Sequence, residues 1–176
     1  MIPYDLVATK MNFWYTALKN NWTGKAEDTK KEVERELEQM EQNQDVIVYY
    51  NLLLFRHNLQ LDYMYSKPGV NLNSRFDEFK KIRDQNNLEG MLDYYYHFFA
   101  GMYHFRQKEL ILALNFYRDA EKKLDSFDCD ELEKAEFYFK ASEVYYHMKQ
   151  TIFSMNYAPS FNHSDRTKKS FIYNCF

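Results

Sequence analysis

Between Gln44 and Ser66 the chain reads QDVIVYYNLLLFRHNLQLDYMYS, and apolar or aromatic residues occur at almost every helical angle: Val46, Ile47, Val48, Tyr49, Tyr50, Leu52, Leu53, Leu54 and Phe55. A helix that is apolar on all sides has to be covered on all sides. The run is too short to cross a bilayer, and Asn51, Arg56 and His57 interrupt it. These residues therefore predict the central helix of a bundle, entered through the polar run Glu41 to Asp45.

The flanking pattern supplies the neighbours. Val7, Met11, Trp14 and Leu18 recur at steps of four and three, one face of a helix over residues 4–20. Asn20-Asn21-Trp22-Thr23-Gly24 breaks it, with Gly24 expected at a left-handed position. A second helix is expected over 26–42 on a narrow stripe of Val33, Leu37 and Met40. Its acids, from Glu27 to Asp45, alternate with Lys30, Lys31 and Arg35, as on a solvated face laced with ion pairs. Short connections make the three helices antiparallel neighbours, a bundle over residues 1–66.

Lys67-Pro68-Gly69 opens a linker that runs to residue 90. Within it a short helix is expected from Ser74 to Asp84, with Ser74 as cap and Phe76 and Phe79 as its apolar contacts. Residues 88–125 then match a 34-residue tetratricopeptide pattern. With Tyr94 at the first position, the small residues Gly101, Ala113 and Ala120 fall where helices must approach closely, and Tyr117 is the large residue set against them. An ordinary helical hairpin is the plainer alternative. A second repeat opens at Ala135 with Ser142 and Tyr145 in place, but its second helix meets Pro159, which inside a helix costs about 3 kcal/mol. Residues 91–156 thus read as one and a half repeats, and 157–176 as an irregular tail. The Tyr138, Phe139, Tyr145 and Tyr146 region would be left poorly covered, a surface for self-association. With only 4 Gly and 3 Pro against 28% charged residues, the whole chain reads as all-α.

Several function classes drop out. A net charge of −3 gives no electrostatic footprint for nucleic acid. No run is long enough to span a membrane, and the start MIPYDLVATK lacks a signal-peptide core, so a cytoplasmic location is expected. Cys129 and Cys175 lack metal spacing, and Glu143 with His147 is one helical pair without a second, so no metal site is expected. No glycine-rich phosphate loop occurs. Arg56 and His57, on a buried helix, read as packing and internal hydrogen bonding.

One pattern is more specific. Gln44-Asp45, Tyr49-Tyr50, Phe55-Arg56-His57 and Leu61-Asp62-Tyr63 occur in order, followed by Phe98-Phe99, Gly101-Met102-Tyr103, Ala120-Glu121-Lys122, Leu132-Glu133-Lys134-Ala135-Glu136-Phe137 and Tyr145-Tyr146-His147-Met148-Lys149-Gln150-Thr151. Over residues 4–156 this resembles the Rap family, bacterial response-regulator aspartate phosphatases, in a C-terminally shortened form. The resemblance implies a three-helix bundle linked to tetratricopeptide repeats. It also implies a phosphorylated response regulator of a sporulation-type phosphorelay as partner, with loss of its aspartyl phosphate as the reaction. Gln44 matches the family's catalytic glutamine, whose amide would hold water in line with phosphorus, while the regulator supplies its own Mg²⁺ and the chain needs no cofactor of its own. From the residues alone Gln44 is a solvated helix-start residue. Asp130 matches an acidic position that helps hold the regulator, and equally suits the start of a helix. Gln42 and Asn43, beside Gln44, are further partner-contact candidates at positions where the family is more acidic. Signalling-peptide inhibition, which the family places on later repeats, is not carried over. The alternatives are a binding module that sequesters a regulator without chemistry, and an inactive remnant.

Overall fold

The computed structural model describes residues 1–65 and 71–148. Among them are seven helices and no strand: α1 (Tyr4–Lys19), α2 (Thr23–Leu37), α3 (Gln44–Tyr65), α4 (Leu72–Gln85), α5 (Gly90–Arg106), α6 (Leu110–Leu124) and α7 (Glu131–His147). Packing divides the chain into two compact units, and the division falls inside α5, between Phe99 and Ala100.

In the first unit α1 packs mainly on α2 and also on α3, and α4 packs on α3. The α1 stripe is buried as its spacing requires, with Val7, Met11 and Trp14 fully covered and Leu18 nearly so. Phe55 of α3 stacks on Phe79 of α4 at 4.2 Å between ring centroids, and Phe79 stacks in turn on Tyr96 at 4.8 Å. Tyr49 stacks on Tyr95 at 5.6 Å. Aromatic rings therefore bring the start of α5 onto the bundle, where each such pair adds about 0.5–1.5 kcal/mol beyond its buried area.

Four local expectations are corrected. The left-handed residue after α1 is Asn21, at φ 57°, while Gly24 sits in the first turn of α2. Asparagine tolerates that region because its short polar side chain bonds locally. Helix α2 ends at Leu37, not 42, because Gln39 and Glu41 bond to the N-terminal segment instead: Ile2 N donates to Gln39 O at 2.8 Å and Glu41 N donates to Ile2 O at 2.9 Å. The result is an isolated parallel bridge between Ile2 and Met40. Helix α4 is capped by Asn71, whose side chain accepts from Ser74 N at 3.2 Å, so Ser74 receives the cap rather than supplying it. Finally, α3 is not covered evenly. Ile47 is 36% exposed, while Arg56, His57 and Gln60 are buried.

Those polar residues are bonded. Trp14 Nε1 donates to His57 Nδ1 at 2.9 Å, and His57 Nε2 faces Glu27 at 3.3 Å. An indole N–H can only donate, so Nδ1 is bare and the ring proton lies on Nε2. Arg56 Nη1 donates to Gln60 Oε1 at 2.8 Å, and Gln60 Nε2 donates to Asn21 Oδ1. The ion pairs expected on the acidic face of α2 form as well, Lys30 with Glu34 at 3.4 Å among them. Lys10 of α1 bridges to Glu32 and Glu36, and the Glu36 hydrogen bond holds its ammonium above the ordinary lysine value.

In the second unit α6 packs on α7. Ala113 and Ala120 are fully buried, and Tyr117 nearly so. A Cβ added at Gly101 would clash with the edge of the Tyr117 ring. That contact gives the repeat pattern its physical content: α5 and α6 approach through the missing side chain. Tyr145 is buried, Tyr138 and Phe139 are half-buried, and Tyr146 is 45% exposed. Pro68, Gly69, Pro159, Cys175 and the tail lie outside the described residues, as does the expected second helix of the second repeat. No helix among the described residues is long and apolar enough to cross a membrane.

Two outcomes follow. Gly101→Ala should destabilise the chain by about 1–3 kcal/mol in urea titrations, whereas Gly24→Ala, with open space around it, should be neutral or stabilising by up to about 1 kcal/mol. Burial lowers His57 from 6.5 to about 4, against an opposing pull from Glu27. The unfolded chain then binds the extra proton between those values, so stability falls as pH drops from about 6.5 to about 4. Urea titrations across that window should show the fall, and His57→Gln should flatten part of it.

Candidate functional site

Asn43 closes the first turn of α3. Its Oδ1 accepts from Val46 N at 3.1 Å, and its carbonyl accepts from Ile47 N at 3.2 Å, satisfying donors that a helix start leaves open. Gln44 is therefore the first residue of a fixed helix, and it is exposed. Gln42, one residue further out, is exposed, and Asn43 is half-buried with its oxygen engaged in the cap.

The Gln44 side chain leans on the loop between α4 and α5. Its Nε2 donates to Asn86 Oδ1 at 3.0 Å. Asn86 ends α4, and its own Nδ2 donates back to Ile82 O at 2.8 Å, satisfying a carbonyl in the last turn. Next to it, Asn87 Nδ2 donates to Glu89 Oε1 at 2.9 Å. Together Gln44, Asp45, Val48, Asn86, Asn87, Leu88, Glu89 and Leu92 line a shallow cleft of about 210 Å³.

The chemistry open to this cleft is limited by what lines it. It contains no Ser, Cys, His or Lys to act as nucleophile, and no Lys or Arg to attract a free anion. Asp45 and Glu89 make it acidic. What it presents is a neutral amide beside carboxylates, held from one side through its nitrogen. Among the described residues no three His, Cys, Asp or Glu side chains are grouped so as to hold a metal.

Asp130 belongs to the second unit. It is exposed and caps α7, with Oδ1 accepting from Leu132 N at 3.2 Å. Just before it, Cys129 is a half-buried free thiol whose pKa burial pushes up, so it is a poor thiolate. Sequence reasoning placed Gln44 at the head of its helix but did not single out Asn86, which falls in the expected linker that runs to residue 90. The pair is 42 residues apart, and no local spacing announces it.

A helical bundle followed by tetratricopeptide-type hairpins, with a solvated glutamine heading the third helix, defines an all-helical repeat-protein architecture. The comparisons are more specific. A profile described as the N-terminal part of response regulator aspartate phosphatase H matches residues 1–62. Response regulator aspartate phosphatase I of Bacillus subtilis strain 168 is 57% identical over 157 residues, covering 89% of this chain and 40% of that protein. The crystal structure of the apo form of RapI superposes with a TM-score of 0.79 at 54% identity, over 88% of this chain and 41% of that one. A Rap protein complexed with competence and sporulation factor gives a TM-score of 0.79 at 45% identity, over 90% and 42%. The chain belongs to the Rap family of response regulator aspartate phosphatases. It spans about 40% of the length of the curated relatives it matches.

Replacing Asn43 with Ala should cost about 0.5–2 kcal/mol of stability in urea titrations, and Asn43→Ser should recover most of it, because serine also caps.

Proposed function

We propose that this chain docks a phosphorylated response regulator of a sporulation-type phosphorelay in the cytoplasm and speeds hydrolysis of its aspartyl phosphate. An acyl phosphate is already activated, and the receiver brings its own Mg²⁺. What it lacks is a water held in line with phosphorus. An amide supplies that without adding charge: its oxygen accepts a water proton and turns the water's lone pair toward the phosphorus. Gln44 is the catalytic residue in this reading. Gln42, Asn43 and Asp130 contact the partner, and the chain needs no cofactor or metal of its own.

The observation that carries the reading is the placement of Gln44. It is exposed on the first residue of a capped helix, with its amide nitrogen bonded to Asn86, in a family member several of whose curated relatives are named response regulator aspartate phosphatases. The acidic cleft behind it favours hydrolysis on a partner over capture of free phosphate, since nothing basic lines it.

The test is decay of radiolabelled aspartyl phosphate on a purified sporulation-phosphorelay receiver, with the wild-type chain and with Gln44→Ala. Wild type should accelerate decay, and the variant should lose about tenfold or more of the acceleration while still binding the receiver. Binding with unchanged decay in both proteins would leave a sequestering module instead, and absence of binding would leave neither.

A further inference from the structure

We infer that Asn86 is a positioning residue that sets which way the Gln44 amide points. The inference rests on the catalytic reading of Gln44 and adds a second residue to it. Three atoms in series carry it. Ile82 O is a backbone carbonyl and can only accept. It therefore takes the nitrogen of the Asn86 amide, at 2.8 Å, and turns Asn86 Oδ1 away from α4. That oxygen can only accept too, so it draws the nitrogen of the Gln44 amide, at 3.0 Å. The outward atom of Gln44 is then Oε1. A glutamine amide free in solvent would present either end about equally, and half of its orientations would offer a donor where the water needs an acceptor. The series of bonds starts at a group with no second state, so it removes the wrong half.

The burial gradient suits this role. Ile82 and Asn86 are half-buried and Gln44 is exposed, so the fixed end of the series lies within the fold and the working end at its surface. All three residues belong to the first unit, and Asn86 sits in extended backbone at the end of α4, held by its own bond to that helix. Asn86 touches neither water nor phosphorus in this scheme. Its effect is on the rate of the bound complex, not on docking.

The experiment is a double-mutant cycle on the full chain with the phosphorylated receiver described above. Wild type, Asn86→Leu, Gln44→Ala and the double variant are compared, reading the decay rate at saturating chain and the half-saturating concentration separately. Asn86→Leu keeps the approximate shape and removes both polar atoms. It should lower the saturated rate about two- to tenfold, the worth of one orienting hydrogen bond, with the half-saturating concentration unchanged. On the Gln44→Ala background it should change nothing. An Asn86→Leu rate equal to wild type, with Gln44→Ala impaired, overturns the positioning role and leaves the catalytic reading standing. An equal loss on both backgrounds overturns it as well, since Asn86 would then act other than through Gln44. A Gln44→Ala chain as fast as wild type removes both. A second measurement does not depend on the variant folding: in the wild-type chain the Gln44 side-chain amide, assigned by its disappearance in Gln44→Ala, should show one proton shifted and slowed in exchange. Both protons at the shifts and exchange rates of a free glutamine amide would overturn the inference.

Discussion

The bonded string Trp14–His57–Glu27 fixes the rotation of α3 about its own axis. A helix with apolar residues on nearly every side has no strongly preferred face, so hydrophobic burial alone would accept several rotations of it. The imidazole does not. Its Nδ1 has to meet an indole N–H and its Nε2 a carboxylate, and only one rotation satisfies both. Arg56 and Gln60 add a second pair of constraints toward Asn21 in the α1–α2 turn. Removing a partner from such a buried string leaves a polar group unsatisfied, which is costlier than the bond itself is favourable. The direction in which Gln44 leaves the bundle is a consequence of this register.

Much of this was readable from the residues. The four-three spacing of Val7, Met11, Trp14 and Leu18 and the small-residue pattern around Tyr117 are local signals, and the packing follows them. Gln44 was placed by its position at the head of α3 and by resemblance. What the sequence did not disclose was every pairing between distant residues. Asn86 falls in the expected linker and is not singled out there, because its bond is to a residue 42 positions away. Ambiguity among similar residues caused smaller misses. Asn71 and Ser74 are both good caps, and Asn21 and Gly24 can both take a left-handed turn, so composition alone could not choose between them.

The two units use glycine and asparagine in opposite senses. At Gly101 an absent side chain lets a tyrosine ring approach, so close packing rests on there being nothing to displace. Around Gln44, by contrast, Asn43 and Asn86 contribute amides that each spend one group on the backbone, Asn43 on Val46 N and Asn86 on Ile82 O. The surface there is ordered by polar bonds to the main chain more than by buried area.

The bridge between Ile2 and Met40 separates the lead-in to α3 from the helices on either side of it. Its two hydrogen bonds lie outside every helix, so they can part without any helical turn being lost. The approach to Gln44 therefore has an opening reaction of its own, cheaper than melting the bundle. Amide exchange at Ile2 and Glu41 would register that event while Trp14 and Leu52, deep in the core, stayed protected.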